Sequence, residues 1–239
     1  MAAPTLPQVT PPSAKTTPRR GPRRTAVRIL AGCATGYLLL WATGALGILL
    51  LSQLVRDRTP EPPGTVAVRG IHHFQPVDRA GRLWRGSAPS PEGYRRLARL
   101  RFTTVVDLRA EDLTARQLAL PERAGLRVVR LPVRDGQTPE PAKVDRFLDV
   151  VRHAPGPVFV HCGAGVGRTG TMAAAYLVRT GEETGPGAAR RNLAVGPPSL
   201  EQIYYALTLT PDRAAQPPLP VVALSRLIDA PRRIWSRWG

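Results

Sequence analysis

Apolar residues come in two kinds of run along this chain. One is a single long stretch: residues 29–55 hold 27 positions without a charge. At 1.5 Å per residue that is about 40 Å of helix, enough to cross a hydrocarbon core of about 30 Å. Globular helices seldom run so long without a polar face, so a membrane span is expected rather than a core helix. The other runs are short. Residues 103–108 (Thr-Thr-Val-Val-Asp-Leu), 126–133 and 157–161 (Pro-Val-Phe-Val-His) read as buried strands. Helical stretches are expected at 91–100, 114–124, 141–152, 169–179, 187–194 and 200–209. Strands alternating with helices predict an α/β domain around a mostly parallel central sheet.

Breaks in the pattern set the organisation. Residues 1–25 are rich in Pro, Thr and Arg with no apolar periodicity, and read as a disordered basic tail. A transmembrane helix is expected at 26–55 and a linker at 56–65, where Thr-Pro-Glu-Pro-Pro-Gly stands. The globular domain then covers 66–210. A Pro-rich break and a tail follow at 211–239. From Val221 to Trp238 that tail interleaves apolar residues with Arg226, Arg232, Arg233 and Arg237. It reads either as a basic amphipathic helix on a membrane or, with Pro231 interrupting it, as a frayed end.

Charge changes the picture little. The 34 basic residues outnumber the 17 acidic ones, which favours anionic partners. No helix-turn-helix, zinc-finger or aromatic-basic pattern is present, so nucleic acid is not an expected partner. A signal peptide is the rival to the span, since basic residues precede the apolar run. The run is too long for that, and no small-x-small cleavage site stands out. Leu30-Ala31-Gly32-Cys33 resembles a lipoprotein box, but the apolar stretch follows the cysteine instead of preceding it. Lys and Arg near the span predict its orientation. Lys15, Arg19, Arg20, Arg23, Arg24 and Arg28 precede it, while Arg56, Arg58 and Arg69 follow within twenty residues. The excess places the N-terminus in the cytoplasm and the globular domain outside the cell membrane.

Two cysteines, Cys33 and Cys162, lie in different contexts, and no disulfide framework is expected. Cys162 begins the chemically informative stretch. It runs His161-Cys162-Gly163-Ala164-Gly165-Val166-Gly167-Arg168-Thr169-Gly170, between a predicted strand and a predicted helix. Three glycines within six residues let backbone N–H groups turn inward around one centre. Such a nest at a helix N-terminus holds an oxyanion, and the same field stabilises a thiolate. Arg168 can grip two phosphate oxygens through its planar fork. Thr169 can donate a hydrogen bond to the sulfur and help it leave.

This stretch resembles the signature of the protein tyrosine and dual-specificity phosphatase superfamily: His-Cys, five residues, then Arg and Ser or Thr. The resemblance extends to 74–89 (Phe-Gln-Pro-Val-Asp…Leu-Trp-Arg-Gly-Ser-Ala-Pro), which looks like the family's opening strands. Val105-Val106-Asp107-Leu108-Arg109 looks like its central strand. Some residues 70–210 are covered. It implies a dual-specificity-phosphatase-like fold and a two-step hydrolysis of phosphate monoesters, without metal or organic cofactor. Cys162 is then the nucleophile, and Arg168 with the amides of Gly163, Ala164, Gly165, Val166 and Gly167 binds the phosphoryl group. The family takes its general acid from an aspartate on a separate loop. Leu131-Pro132-Val133-Arg134-Asp135-Gly136 matches that loop, which makes Asp135 the candidate and Asp107 the rival. Asp107 reads better as a structural tie to local backbone or to Arg109. Glu111, Asp112 and Glu140 read as helix-start charges. His161 is expected to orient the loop. His72 and His73 have no paired ligands at metal spacing.

The loop interior carries no Lys or Arg, whereas a multiply charged inositol headgroup would favour extra cations there. The expected substrate is therefore a phosphotyrosyl protein or peptide, with dual specificity open. A phosphoinositide phosphatase and a non-catalytic phospho-binding module are the alternatives. Oligomeric state is not legible.

Overall fold

The computed structural model describes residues 22–212 and 216–235. Most of the expected basic tail at 1–25, and the very end of the C-terminal tail, lie outside the described residues. The chain divides into two units, residues 1–39 and 40–239. Helix α1 (Pro22–Arg58) supplies all that is described of the first unit and continues into the second. Its segment from Thr25 to Arg58 has a mean hydropathy of 2.0 over the most apolar window and is almost wholly exposed. By length and composition it can cross a membrane or act as a signal sequence.

The second unit holds a five-stranded sheet in the order β1-β2-β5-β3-β4. The strands are β1 (Gln75–Pro76), β2 (Leu83–Gly86), β3 (Thr104–Arg109), β4 (Arg127–Val133) and β5 (Val158–His161). Only β1 runs antiparallel to its neighbour. The α/β expectation with a mostly parallel sheet is met. Strand β5 is buried at every position, as a continuous apolar run in the middle of a parallel sheet must be.

Helices α2 (Pro91–Arg99), α5 (Pro141–His153), α6 (Gly167–Arg179), α7 (Gly185–Val195) and α8 (Leu200–Thr208) cover the sheet. The stretch expected as one helix at 114–124 is two short ones, α3 (Ala115–Leu118) and α4 (Leu120–Arg123). Pro121 explains the break, because proline is tolerated in the first turn of a helix and not in its interior. Conversely α9 (Leu219–Trp235) runs through Pro231, where an interruption was expected. Its Ser225 is buried and accepts the Glu201 N–H at 3.1 Å, which ties it to α8.

Two apolar clusters lie on the two sheet faces. Phe147, Met172, Leu83 and Tyr205 anchor one; Tyr94, Leu97, Phe102 and Phe159 anchor the other. Helix α6 is buried along its whole apolar length, and small residues make this feasible. A Cβ on Gly170 would overlap the Asn192 side chain of α7, so only glycine lets α6 and α7 approach so closely there.

The last turns of α1 belong to the second unit and are bound to it. Ser52 Oγ donates to Leu193 O at 2.7 Å, and Arg56 donates to Ala194 O at 2.9 Å and Val195 O at 2.6 Å. These carbonyls end α7, where a cation also complements the helix dipole.

Candidate active site

The stretch 162–166 joins the end of β5 to the start of α6, the position at which open α/β sheets gather ligands. Cys162 is 3 % exposed and sits at the floor, while Gly163 and Ala164 are exposed at the rim. Gly165 has φ +78°, and a Cβ there would collide with the backbone of Gly86 and Ser87. The loop therefore lies directly on the end of β2. Ala88 N–H donates to Gly163 O at 2.8 Å and holds it there.

Arg85, on β2, explains how the loop keeps its shape. Its Nη2 donates to Gly165 O at 2.8 Å, Val166 O at 3.2 Å and Asn192 Oδ1 at 3.0 Å. A buried guanidinium thus holds two of the loop carbonyls on its outer side. Burial lowers the Arg85 pKa to about 10, leaving it charged at neutral pH. Sequence reasoning missed this role, although Arg85 lies inside the Leu-Trp-Arg-Gly-Ser segment that carried the family resemblance.

Arg168 is buried in the first turn of α6 and points back beneath the loop. Its Nη1 and Nη2 form a fork with Glu111 at 2.9 and 2.7 Å, Nη1 also donates to Val133 O at 3.2 Å, and Nε lies 3.4 Å from Asp135 Oδ1. Burial alone would lower its pKa; Glu111, Cys162 and Asp135 together outweigh burial and raise it. Burial likewise opposes ionisation of Glu111, but Arg168 holds its carboxyl below the usual range. The expectation that Glu111 is a helix-start charge is thus corrected. It follows β3, and the β3–β5 pairing brings it to Arg168 across 57 positions of sequence.

Asp135 stands at the head of a turn whose next residue, Gly136, has φ +73°. Ser199 Oγ donates to Gly136 O at 2.7 Å and Gln202 Nε2 to Gln137 O at 3.0 Å. Those two residues form the N-terminal capping box of α8. The same helix start therefore fixes the loop carrying Asp135, a connection no local spacing announces. Asp107 binds Arg109 through both carboxylate oxygens, at 3.0 and 2.8 Å, and also accepts the Arg109 N–H at 2.9 Å. It is the structural tie expected of it.

His161 is fully buried. Its Nδ1 lies 3.0 Å from Cys162 O and its Nε2 3.3 Å from Tyr94 Oη. A carbonyl only accepts, so Nδ1 carries the proton and Nε2 accepts from the tyrosine. Burial lowers its pKa to about 4, against Asp107, which raises it. A neutral ring at pH 7 positions the loop and carries no charge to the thiol. The unfolded chain protonates first, so His161 withdraws stability as pH falls from about 6.5 towards 4.

Thr169 Oγ1 is buried and has no hydrogen-bond partner among the described residues. The Cys162 sulfur is therefore not its hydrogen-bond partner in this state, and the hydroxyl is uncommitted. A buried hydroxyl left unsatisfied costs about 1–3 kcal/mol, a reason for it to turn to any acceptor that forms beside it. Among the described residues no group of three or more His, Cys, Asp or Glu is arranged to hold a metal.

Residues 80–182 match the family model described as "Polymorphic toxin system, DSP-PTPase phosphatase". The human dual specificity protein phosphatase CDC14C is 53 % identical over 45 residues, 19 % of this chain and 10 % of that protein. The probable chloroplastic NAD kinase 2 of Oryza sativa subsp. japonica is 38 % identical over 96 residues, 38 % of this chain and 10 % of that protein. The chain thus spans about a tenth of the length of these relatives. Among solved structures, the core catalytic domain of the PP-IP phosphatase SIW14 from S. cerevisiae, in complex with citrate, superposes with a TM-score of 0.50 at 16 % identity. It covers 70 % of this chain and 98 % of that one. At that identity the likeness speaks for fold, and the fold is that of the dual-specificity phosphatases, as the sequence resemblance implied.

Proposed function

We propose, for a chain whose residues 80–182 carry a phosphatase domain of the dual-specificity type, that it hydrolyses phosphate monoesters through a phosphocysteine. The observation that carries this reading is the convergence on one loop of a buried thiol, a buried guanidinium fork and an aspartate 3.4 Å from that fork. Cys162 attacks phosphorus, and the P–O bond to the leaving oxygen breaks as Asp135 gives that oxygen its proton. Water then attacks the phosphocysteine, giving its proton to Asp135 as the P–S bond breaks and the thiolate returns. Arg168 and the inward amides of residues 163–168 stabilise the equatorial oxygens in both steps. Thr169 lies next to Arg168 with its hydroxyl uncommitted, and serves the departing sulfur.

Phosphotyrosyl proteins or peptides are the proposed substrates. The support is the interior of the loop, where Gly163, Ala164, Gly165, Val166 and Gly167 add no cation for a second phosphate. Comparison of kcat/KM for phosphotyrosyl and phosphoseryl peptides and an inositol phosphate on purified protein tests this. A higher value for the inositol phosphate reverses the assignment.

Asp135→Ala should lower kcat by about 10²–10⁴-fold and flatten the pH profile of kcat for an alkyl phosphate. For a substrate with a good leaving group kcat/KM should change little, since that oxygen needs no proton, while kcat still falls because the second step loses its base. If Asp135→Ala resembles wild type while folded Asp107→Ala is inactive, the acid is Asp107. Glu111→Ala should lower kcat/KM by up to about 10²-fold, because the Arg168 fork loses the partner that sets its plane. A rise in kcat/KM would show instead that Glu111 competes with substrate for the fork.

We read residues 29–51 as a cell-membrane span, ahead of the turns that bind α7. The charge excess favours a catalytic domain outside the cytoplasm. Protease added to intact spheroplasts should digest that domain while a cytoplasmic marker survives. Protection until lysis would place the domain inside.

A further inference from the structure

A cavity of about 360 Å³ lies against α6, within the second unit. Its body is apolar, made by Phe74, Val77, Ala173, Ala174, Leu177 and Ala188. Three guanidinium groups reach it: Arg56 from the end of α1, Arg85 from β2 and Arg191 from α7. Among the lining residues only Glu61 is acidic. Arg191 is tied to Val77 O at 2.7 Å, and Glu183 stands 3.9 Å off its other nitrogen. Arg85 is 4 % exposed and its Nη2 is spent on the loop. His73, which also lines the cavity, has a pKa lowered by burial and then by Arg85 and Arg56, which fits a local excess of positive charge.

We propose that this cavity binds a small amphiphilic acid, its anionic head against Arg85 and Arg191 and its apolar body along the alanine face of α6. The volume lies in the lower part of the range for ligand pockets and suits a chain of about ten carbons. A purely apolar occupant would leave three guanidinium groups of the lining set against one carboxylate, and a bare inorganic anion would leave the apolar wall uncovered. The same head-and-tail chemistry is offered by a free fatty acid and by an anionic lipid of a bilayer. The site shares Arg85 with the loop but needs no turnover there, and it stands whether or not the phosphatase reading does.

The test is equilibrium dialysis of labelled decanoate against the full chain in phosphatidylcholine nanodiscs, with empty discs subtracted. One saturable site per chain is expected, and none for decanol. Arg191→Gln should weaken binding about tenfold or more, the effect of one charge-assisted hydrogen bond. Ala174→Leu, which fills the cavity without touching a charge, should abolish it; circular dichroism and melting confirm that each variant is folded. Decanoate binding that survives both variants, or decanol binding equally well, overturns the proposal. Discs doped with phosphatidic acid separate the sources. Displacement of decanoate supports the site and assigns its occupant to the bilayer; no displacement supports it and assigns the occupant to the free acid.

Discussion

Replacing Cys162 by serine should abolish phosphate release, a loss of about 10⁴–10⁶-fold in kcat of the size seen when a nucleophile is removed. The two side chains differ by one atom, and the site is 3 % exposed and packed among the core residues behind β5, so the fold should be retained. What changes is nucleophilicity. A serine hydroxyl is a far weaker acid and a poorer nucleophile than a thiol, and the same loop does not make up the difference. Substrate binding survives, because Arg168 and the amides still hold the phosphoryl group. A Cys162→Ser protein should therefore trap a phosphotyrosyl peptide that wild type turns over, measured by phosphate release and by peptide retention on the immobilised protein. Turnover within about tenfold of wild type would falsify the assignment of the nucleophile.

Arg168→Ala carries the second largest expected effect, a fall of about 10³–10⁵-fold in kcat/KM, the range for loss of an arginine that stabilises a transferring phosphoryl group. Two losses combine. The planar fork that matches two phosphate oxygens disappears. In addition Glu111 and Asp135, now bridged by one guanidinium at 2.7 and 3.4 Å, are left facing each other without it. Their negative charge then repels the incoming phosphate. Some stability should go too, moderated by water because the Glu111 side chain is 37 % exposed. Arg168→Lys separates the two losses. It keeps the charge between the carboxylates, so melting should return towards wild type, while kcat/KM stays low for want of the fork. Recovery of kcat/KM to wild type in Arg168→Lys would show that charge alone matters there.

What the sequence made legible was whatever depends on near neighbours along the chain. The alternation of 103–108, 126–133 and 157–161 with helical stretches predicted β3, β4 and β5 to within a residue or two, because strand and helix periods are local. The loop from Cys162 to Arg168 was legible for the same reason. Its glycines, its thiol and its arginine stand at fixed spacing within one short stretch. The charge-free stretch at 29–55 was legible from composition. Proline was the weak point of local reading. It split 114–124 at Pro121 as its geometry requires, yet α9 passes through Pro231, where packing of α9 on α8 through Ser225 accompanies a helix that propensity alone would end.

Only the tertiary structure decided which distant residues serve that loop, and the sheet order is the reason. With β5 between β2 and β3, the C-terminal ends of all three strands open on the same side. Strand β2 thereby delivers Arg85 to the loop carbonyls, and the end of β3 delivers Glu111 to the Arg168 fork. Ser199 and Gln202, more than sixty positions away, pin the loop of Asp135. None of these pairs has a sequence signature, because a hydrogen bond between remote side chains depends on strand order and helix packing, which no local spacing records. The chain's own pattern determined that a glycine-rich loop carrying a thiol and an arginine would form; the sheet determined which guanidinium shapes it, which carboxylate occupies its arginine and which helix holds the turn of Asp135 in place.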